Sequence, residues 1–219
     1  MKICCIGYRQ WALDIYNSLY ATQVFKTMDV QFDVLIMEEF DEKKIRDYKP
    51  TYILFYGWSD IIDEKIINDF ECIMLHPSPL PKYRGGSPIQ NQIIRGEKDS
   101  AVTLFMMDEG IDTGDIIAQE YLSLDGNMDD IFERIAEIGL RLTKDILTNG
   151  FKRKKQNESE ASYYSRRKPS ESEIFIDELK SLDGEYLHNK IRMLQDPYPN
   201  AFIRTSDGRK LKIKLTELE

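Results

Sequence analysis

Residues 71–95 read ECIMLHPSPLPKYRGGSPIQNQIIR, an order of strand, shaped loop and helix. Residues 71–75 are an apolar run of strand length that stops at His76-Pro77, because proline donates nothing to a ladder and restricts the residue before it. Residues 77–87 hold three prolines and two glycines, which specify one loop shape rather than a slack connection. Pro88 suits the first turn of a helix over 88–95. The histidine therefore ends a strand, and in open parallel sheets ligands and reactive groups gather at such carboxyl ends.

The same alternation runs outward from this stretch. Upstream, residues 2–6 read as a buried strand ending at Gly7, followed by a helix whose Trp11, Ile15, Leu19 and Val24 recur at helical spacing. A second apolar run covers 32–37, DEKKIRDYK (41–49) makes a short helix stopped by Pro50, and 51–56 is a third strand, with a helix over 60–70. Downstream, 102–107 is a strand, DEGIDTGD (108–115) a polar loop and 116–122 extended again. Asn127 or Asp125 caps a helix over 128–147, striped by Ile131, Phe132, Ile135, Ile138, Leu142 and Ile146 and ended by Gly150. The fold class is α/β: a mostly parallel, Rossmann-like sheet with helices on both faces. The polar run after residue 150 marks the boundary of a catalytic unit (1–150). A linker (151–180) leads to a small α+β unit (181–219) with a helix over 184–194, a DPYPN turn and a hairpin joining 201–204 to 210–215 through SDG.

Composition narrows the function. With 42% hydrophobic and 31% charged residues in 219, the chain is an ordinary folded protein. Its formal net charge of −8 argues against a broad nucleic-acid footprint, so the expected partners include no nucleic acid. No apolar run approaches the length of a membrane span, and the N-terminus turns polar too early for a signal peptide. Three cysteines, Cys4 and Cys5 adjacent, offer neither a disulfide framework nor a metal spacing, which suits a reducing cytoplasm. The sequon at Asn157 then goes unglycosylated.

His76 is one of only two histidines and can exchange a proton near neutral pH. Asp112, in IDTGD, sits in a loop that its flanking strands return to the sheet edge carrying His76, where a carboxylate can orient the imidazole and stabilise its cation. On their own, Asp108, Asp112 and Asp115 read equally as turn residues bonding their own backbone.

HPSPLPKYRGGSPIQ (76–90), with MDEGIDTGDII (107–117) after it, resembles the folate-dependent formyltransferases. FYGWSDII (55–62), YYSRRKP (163–169) and NKIRMLQDPYPNAF (189–202) extend the resemblance, which is nearest to the sugar-nucleotide N-formyltransferases. It implies N10-formyltetrahydrofolate as formyl donor, no metal, and His76 and Asp112 as the catalytic pair. Phe55, Gly57, Trp58, Ser59, Asp108 and Gly110 would hold the folate. Ser78, Pro79, Lys82, Arg84 and Gly85 would hold the acceptor, with Arg166 and Arg167 on its phosphates. The family's asparagine two residues before the histidine is Met74 here, which has no donor for the oxygen that gains charge when the amine attacks. Ser78, Asn91 or a backbone amide are the candidates to replace it. The acceptor this implies is the amine of a nucleotide-linked sugar, a 4-amino-4,6-dideoxy sugar by preference, because the chain is shorter and more acidic than the tRNA-acting branch. Two alternatives stand beside it: a folate or sugar-nucleotide binding protein in which Met74 has cost catalysis, and a formyltransferase acting on another small amine. The aromatic C-terminal unit leaves room for a homodimer.

Overall fold

Lys2–Ile6 (β1) is the first strand expected from its apolar run, buried at every residue after Lys2. The computed structural model describes residues 1–25 and 31–218, with side chains 23–25 outside the description, so Val24, the last position of the expected stripe, lies outside it. After β1 come α1 (Gln10–Phe25), β2 (Asp33–Met37), α2 (Glu42–Tyr48), β3 (Tyr52–Tyr56), α3 (Glu64–Asp69) and β4 (Glu71–His76). They are followed by β5 (Arg84–Gly85), α4 (Pro88–Ile93), β6 (Asp99–Met106), β7 (Ile116–Ser123) and α5 (Met128–Asn149). The C-terminal part holds β8 (Tyr163–Tyr164), α6 (Ile176–Ser181), α7 (Gly184–Arg192), β9 (Ala201–Arg204) and β10 (Lys210–Ile213).

Six strands form one sheet in the order β2-β1-β3-β4-β6-β7. The first four pair in parallel, whereas β6 runs antiparallel to β4, and β7 to β6. Strand order reverses between β1 and β3, which opens a crevice at their carboxyl ends. Tyr16 of α1 closes the seam beneath it: its buried hydroxyl lies 3.0 Å from the Ile6 carbonyl and 2.9 Å from the Leu54 carbonyl, and accepts the Tyr56 N–H. At Gly7 the chain passes so near the Tyr56 carbonyl that a Cβ would collide with it.

Alternation along each strand divides the core into two layers. Ile3 and Cys5, Leu54 and Tyr56, and Ile73 and Leu75 face α1 and α5 in the larger cluster. Cys4 and Ile6, Ile53 and Phe55, and Cys72 join Ile45 of α2 and Ile66 of α3 in the smaller one, with Met74 packed against it. By this parity His76 shares a face of β4 with Met74 and Cys72. The long helix α5 is fixed at its start by a capping box in which Asn127 accepts from the Asp130 N–H and Asp130 accepts from the Asn127 N–H.

The expected helix over 60–70 begins only at Glu64, because the Asp63 side chain caps it by accepting from the Lys65 N–H. The polar stretch after α5 does more than connect. Lys154 bridges to Ile116 beside β7, and β8 pairs in parallel with β5. Helix α6, absent from the sequence reading, lies on this path, and its Glu178 binds the buried Lys190 of α7 at 2.7 Å. Among the described residues no helix is long and apolar enough to cross a membrane.

Candidate active site

A cavity of about 690 Å³ opens where β1, β3 and β4 end, and His76 and Asp112 both line it. His76 is 5% exposed. Its Nε2–H donates to the Tyr83 carbonyl at 2.8 Å, and its Nδ1 lies 3.5 Å from Asp112 Oδ2. With its one proton committed to Nε2, a neutral imidazole presents a bare Nδ1 lone pair to the cavity and the carboxylate. A proton arriving there makes an imidazolium held between a carbonyl and a carboxylate.

Asp112 is placed by its backbone as much as by its side chain. It adopts the left-handed conformation (φ 55), which aspartate tolerates better than most residues. Its Oδ2 accepts the Gly85 N–H at 2.7 Å, and its carbonyl accepts from the Gln156 amide at 2.9 Å. Gly85 itself has φ 93 and lies so close to the Tyr164 carbonyl that a side chain would collide with it. Asp108 behaves as the turn reading expects, its carboxylate accepting from the Gly110 N–H and the Thr113 hydroxyl.

The cavity also brings together Gly57, Trp58, Ser59, Met74, Asp108, Gly110, Gly85, Arg166 and Arg167 of the expected site residues. Phe55, Ser78, Pro79, Lys82 and Arg84 are not on its lining. Phe55 is fully buried in the smaller core layer, since its parity turns it under the sheet's end. Ser78, also fully buried, donates to the Lys82 carbonyl and stiffens the loop, while Lys82 points to solvent. Arg84 is 0% exposed and wholly engaged: Nε and Nη2 donate to Gln156 Oε1 at 3.0 and 2.8 Å, and Nη1 and Nη2 to the Glu158 carboxylate at 3.0 and 2.7 Å. The guanidinium holds the Glu158 carboxyl below its usual range. Because Gln156 also donates to the Asp112 and Gly114 carbonyls, Arg84 reaches the site only through the loop that it braces.

One contributor was hidden from sequence reasoning. Gln156 sat in a run that read as linker. Arg9 stacks over Tyr8 and, at 5.6 Å, over the ring of Tyr198, which the C-terminal DPYPN turn delivers to the cavity's rim. The two side chains among the candidate replacements for the missing amide are already occupied, because Asn91 donates to the Gly86 and Ser165 carbonyls and Ser78 to Lys82. Three buried side-chain donors lack a partner among the described residues, Trp58 Nε1, Gln90 Nε2 and Arg167 Nε, and all three residues line this cavity. Burial pushes the Cys4 and Cys72 thiols up to about 12, so neither is a thiolate at neutral pH. Among the described residues no three His, Cys, Asp or Glu side chains gather where they could hold a metal ion.

The family described as formyl transferase matches residues 17–147. Methionyl-tRNA formyltransferase of Syntrophomonas wolfei is 36% identical over 180 residues, 78% of this chain and 55% of that protein. Among solved structures, methionyl-tRNA formyltransferase from Clostridium thermocellum superposes with a TM-score of 0.84 at 32% identity, covering 97% of each chain. A 4-N formyltransferase from Francisella tularensis gives 0.77 at 26% identity, covering 100% of this chain and 98% of that one. This chain spans from 55% to 69% of the length of the curated relatives it matches.

These similarities correct two expectations. The sugar-nucleotide branch is not the nearest resemblance, since the proteins named for methionyl-tRNA are the more similar in sequence and in structure. In the fold, YYSRRKP pairs with β5 and reaches the cavity's lining, which Tyr198 of the DPYPN segment also reaches. The expectation of no nucleic-acid partner also falls, because relatives named for a tRNA substrate match most of this chain. A net charge of −8 sums the whole surface and says nothing of a local patch.

Proposed function

We propose, because this chain belongs to the formyl transferase family, that it moves a formyl group from N10-formyltetrahydrofolate to a primary amine. The observation that carries the reading is the buried His76, held by Tyr83 at Nε2 and facing the Asp112 carboxylate through Nδ1 at 3.5 Å in the cavity. The cavity's chemistry suits a folate. Trp58 offers a flat apolar wall and an indole N–H without a partner among the described residues, and Gly57 and Gly110 line the cavity beside it. When bound, the folate supplies the formyl carbon: the amine nitrogen bonds to it, its bond to the folate nitrogen breaks, and the amine's proton passes to that nitrogen.

In this reading His76 Nδ1 takes the proton from the attacking amine and returns it toward the leaving nitrogen. Asp112 stabilises the imidazolium in between, and the Gly85 N–H keeps the carboxylate aimed. Met74, beside His76 on the same face, lends an apolar wall and no hydrogen bond. Arg9, Arg166 and Arg167 line the same cavity and favour an acceptor that also carries phosphate. The relatives' names make the α-amine of an aminoacyl group on tRNA the acceptor to test first. We place the catalytic unit at 1–150 and the C-terminal unit at 181–219, joined by 151–180, with the buried thiols suited to the cytoplasm.

The test incubates the protein with N10-formyltetrahydrofolate and, separately, methionyl-tRNA, L-methionine methyl ester and uridine- and thymidine-linked amino sugars. Tetrahydrofolate release and product mass are followed together. A formyl mass gain on one acceptor, lost in His76→Ala, supports the reading. No gain on any amine, from a protein that still binds folate, refutes it.

A further inference from the structure

Helix α4 carries three consecutive polar residues, Gln90, Asn91 and Gln92, each at most 5% exposed. Two are accounted for. The Gln92 amide donates to the Pro77 and Pro88 carbonyls and its oxygen accepts from Ser100, while Asn91 bonds Gly86 and Ser165. Gln90 is different: at 3% exposed its Nε2 has no hydrogen-bond partner among the described residues, and the residue lines the cavity with His76, Phe132 and Tyr198. An amide N–H withdrawn from water and left unmet is unfavourable, and native interiors keep few such groups without a use.

Where the neighbours lie gives the group its direction. Trp58, Met107 and the 108–112 loop line the cavity together with residues of the smaller core layer, the side assigned above to the folate. Trp11, Phe132 and Ile135, from α1 and α5, belong to the larger layer and line the cavity with Gln90. His76 lines the same cavity.

Building on the proposed formyl transfer, we propose that Gln90 is a specificity-determining donor whose side-chain N–H binds an oxygen carried next to the acceptor's amine. The preferred acceptors are then amines with a neighbouring carbonyl, as in an α-aminoacyl ester, rather than simple alkylamines. The orphaned N–H is satisfied only when such an acceptor is seated, after a small turn of the amide. Discrimination follows because an acceptor lacking the oxygen leaves the group unmet.

The experiment compares wild type, Gln90→Met and Gln90→Glu with two probes, L-methionine methyl ester and 3-(methylthio)propylamine, which differ in the ester carbonyl. The expected result is a preference for the ester, measured as the ratio of kcat/KM values, that falls about tenfold to a hundredfold in both variants. Gln90→Met should also raise the Tm of the unliganded protein by about 2–4 °C, since it removes a buried unmet donor. Gln90→Glu keeps the shape and decides the matter if the methionine variant does not fold. An unchanged ratio overturns the proposal. If wild type formylates neither probe, formyl transfer to amines of this kind fails on its own account. Calorimetric binding of the ester with tetrahydrofolate present then decides the role of Gln90. Weaker binding in the variants upholds it, and equal binding, or none to wild type, overturns it.

Discussion

Replacing Asp112 with Asn removes one negative charge and little else. The Asn Oδ1 can still accept the Gly85 N–H, and Asn is among the residues that tolerate the left-handed backbone found here (φ 55). What is lost is the attraction between the carboxylate and an imidazolium at His76. At the observed 3.5 Å, with side chains only 7% and 11% exposed, that attraction is about 5 kcal/mol for an effective dielectric constant of about 20. Withdrawn from the step in which His76 holds the proton, it corresponds to a loss of about 10³-fold in kcat. Because Asp112 Oδ2 both accepts the Gly85 N–H and faces Nδ1, an Asn oxygen in its place keeps that geometry and leaves the lost charge as the change. Single-turnover formylation of the best acceptor, with folate affinity measured in parallel, isolates the chemical step. A variant that folds, binds folate as the wild type does and turns over within tenfold of it would refute the assignment of Asp112 as the group stabilising His76.

Three further outcomes are expected. Gln156→Leu removes both hydrogen bonds to the Asp112 and Gly114 carbonyls and the acceptor for Arg84. It should destabilise the protein by about 1–3 kcal/mol in urea titration and lower kcat more than it raises KM. Met74→Asn places an amide on the face of β4 that carries His76 and should raise kcat by about 10²-fold to 10³-fold if an oxyanion donor is what the site lacks, read in the same formylation assay. At Glu178, burial raises the carboxyl pKa, but the Lys190 ammonium and the Phe175 N–H lower it more, leaving it below its ordinary 4.5. Its stabilising share is therefore present above pH 4.5 and disappears as pH falls through the depressed folded-state value. The gap in urea midpoint between wild type and Glu178→Gln should be open at about pH 6 and close toward about pH 3.

The parallel strands were legible because each is a short apolar run bounded by Gly, Pro or charge, and a strand buried on both faces needs no finer pattern. His76 was legible for a related reason: the proline after it fixes where β4 ends. Asp112 was legible only through its loop, since one aspartate among Asp108, Asp112 and Asp115 carries no mark of its own, and Asp108 is indeed a turn residue. The pairing of Arg84–Gly85 with Tyr163–Tyr164 joins two-residue strands distant in sequence, and neither stretch shows any strand period. The resemblance put Arg84 on the acceptor, and its engagement by Gln156 and Glu158 depends on residues more than seventy positions away. The QNQ of α4 did carry a signal, as three polar residues between Ile89 and Ile93 have to be met by water, by bonds inside or by a ligand.

The site's precision rests on polar cross-links rather than on the apolar core. Core packing fixes His76 through β4, but the Asp112 loop lies past the end of β6, where the hydrophobic layers stop. It is held by the Gly85 N–H, by the Gln156 amide on its carbonyl, and behind these by Arg84 and Glu158. A left-handed non-glycine residue costs about 1–2 kcal/mol for most side chains, so the loop needs these bonds to stay in place. Asn is therefore the informative replacement at Asp112. Alanine would remove the charge, the acceptor for Gly85 and the tolerance of φ 55 together, and its lost activity could not be apportioned. Comparing Asp112→Asn with Gln156→Leu separates charge from position. The first should slow chemistry at unchanged stability, and the second should weaken both. If the double variant were slower by the full product of the two effects, the loop would be positioned independently of Gln156. A shortfall of tenfold or more would show that the amide acts on the reaction through Asp112.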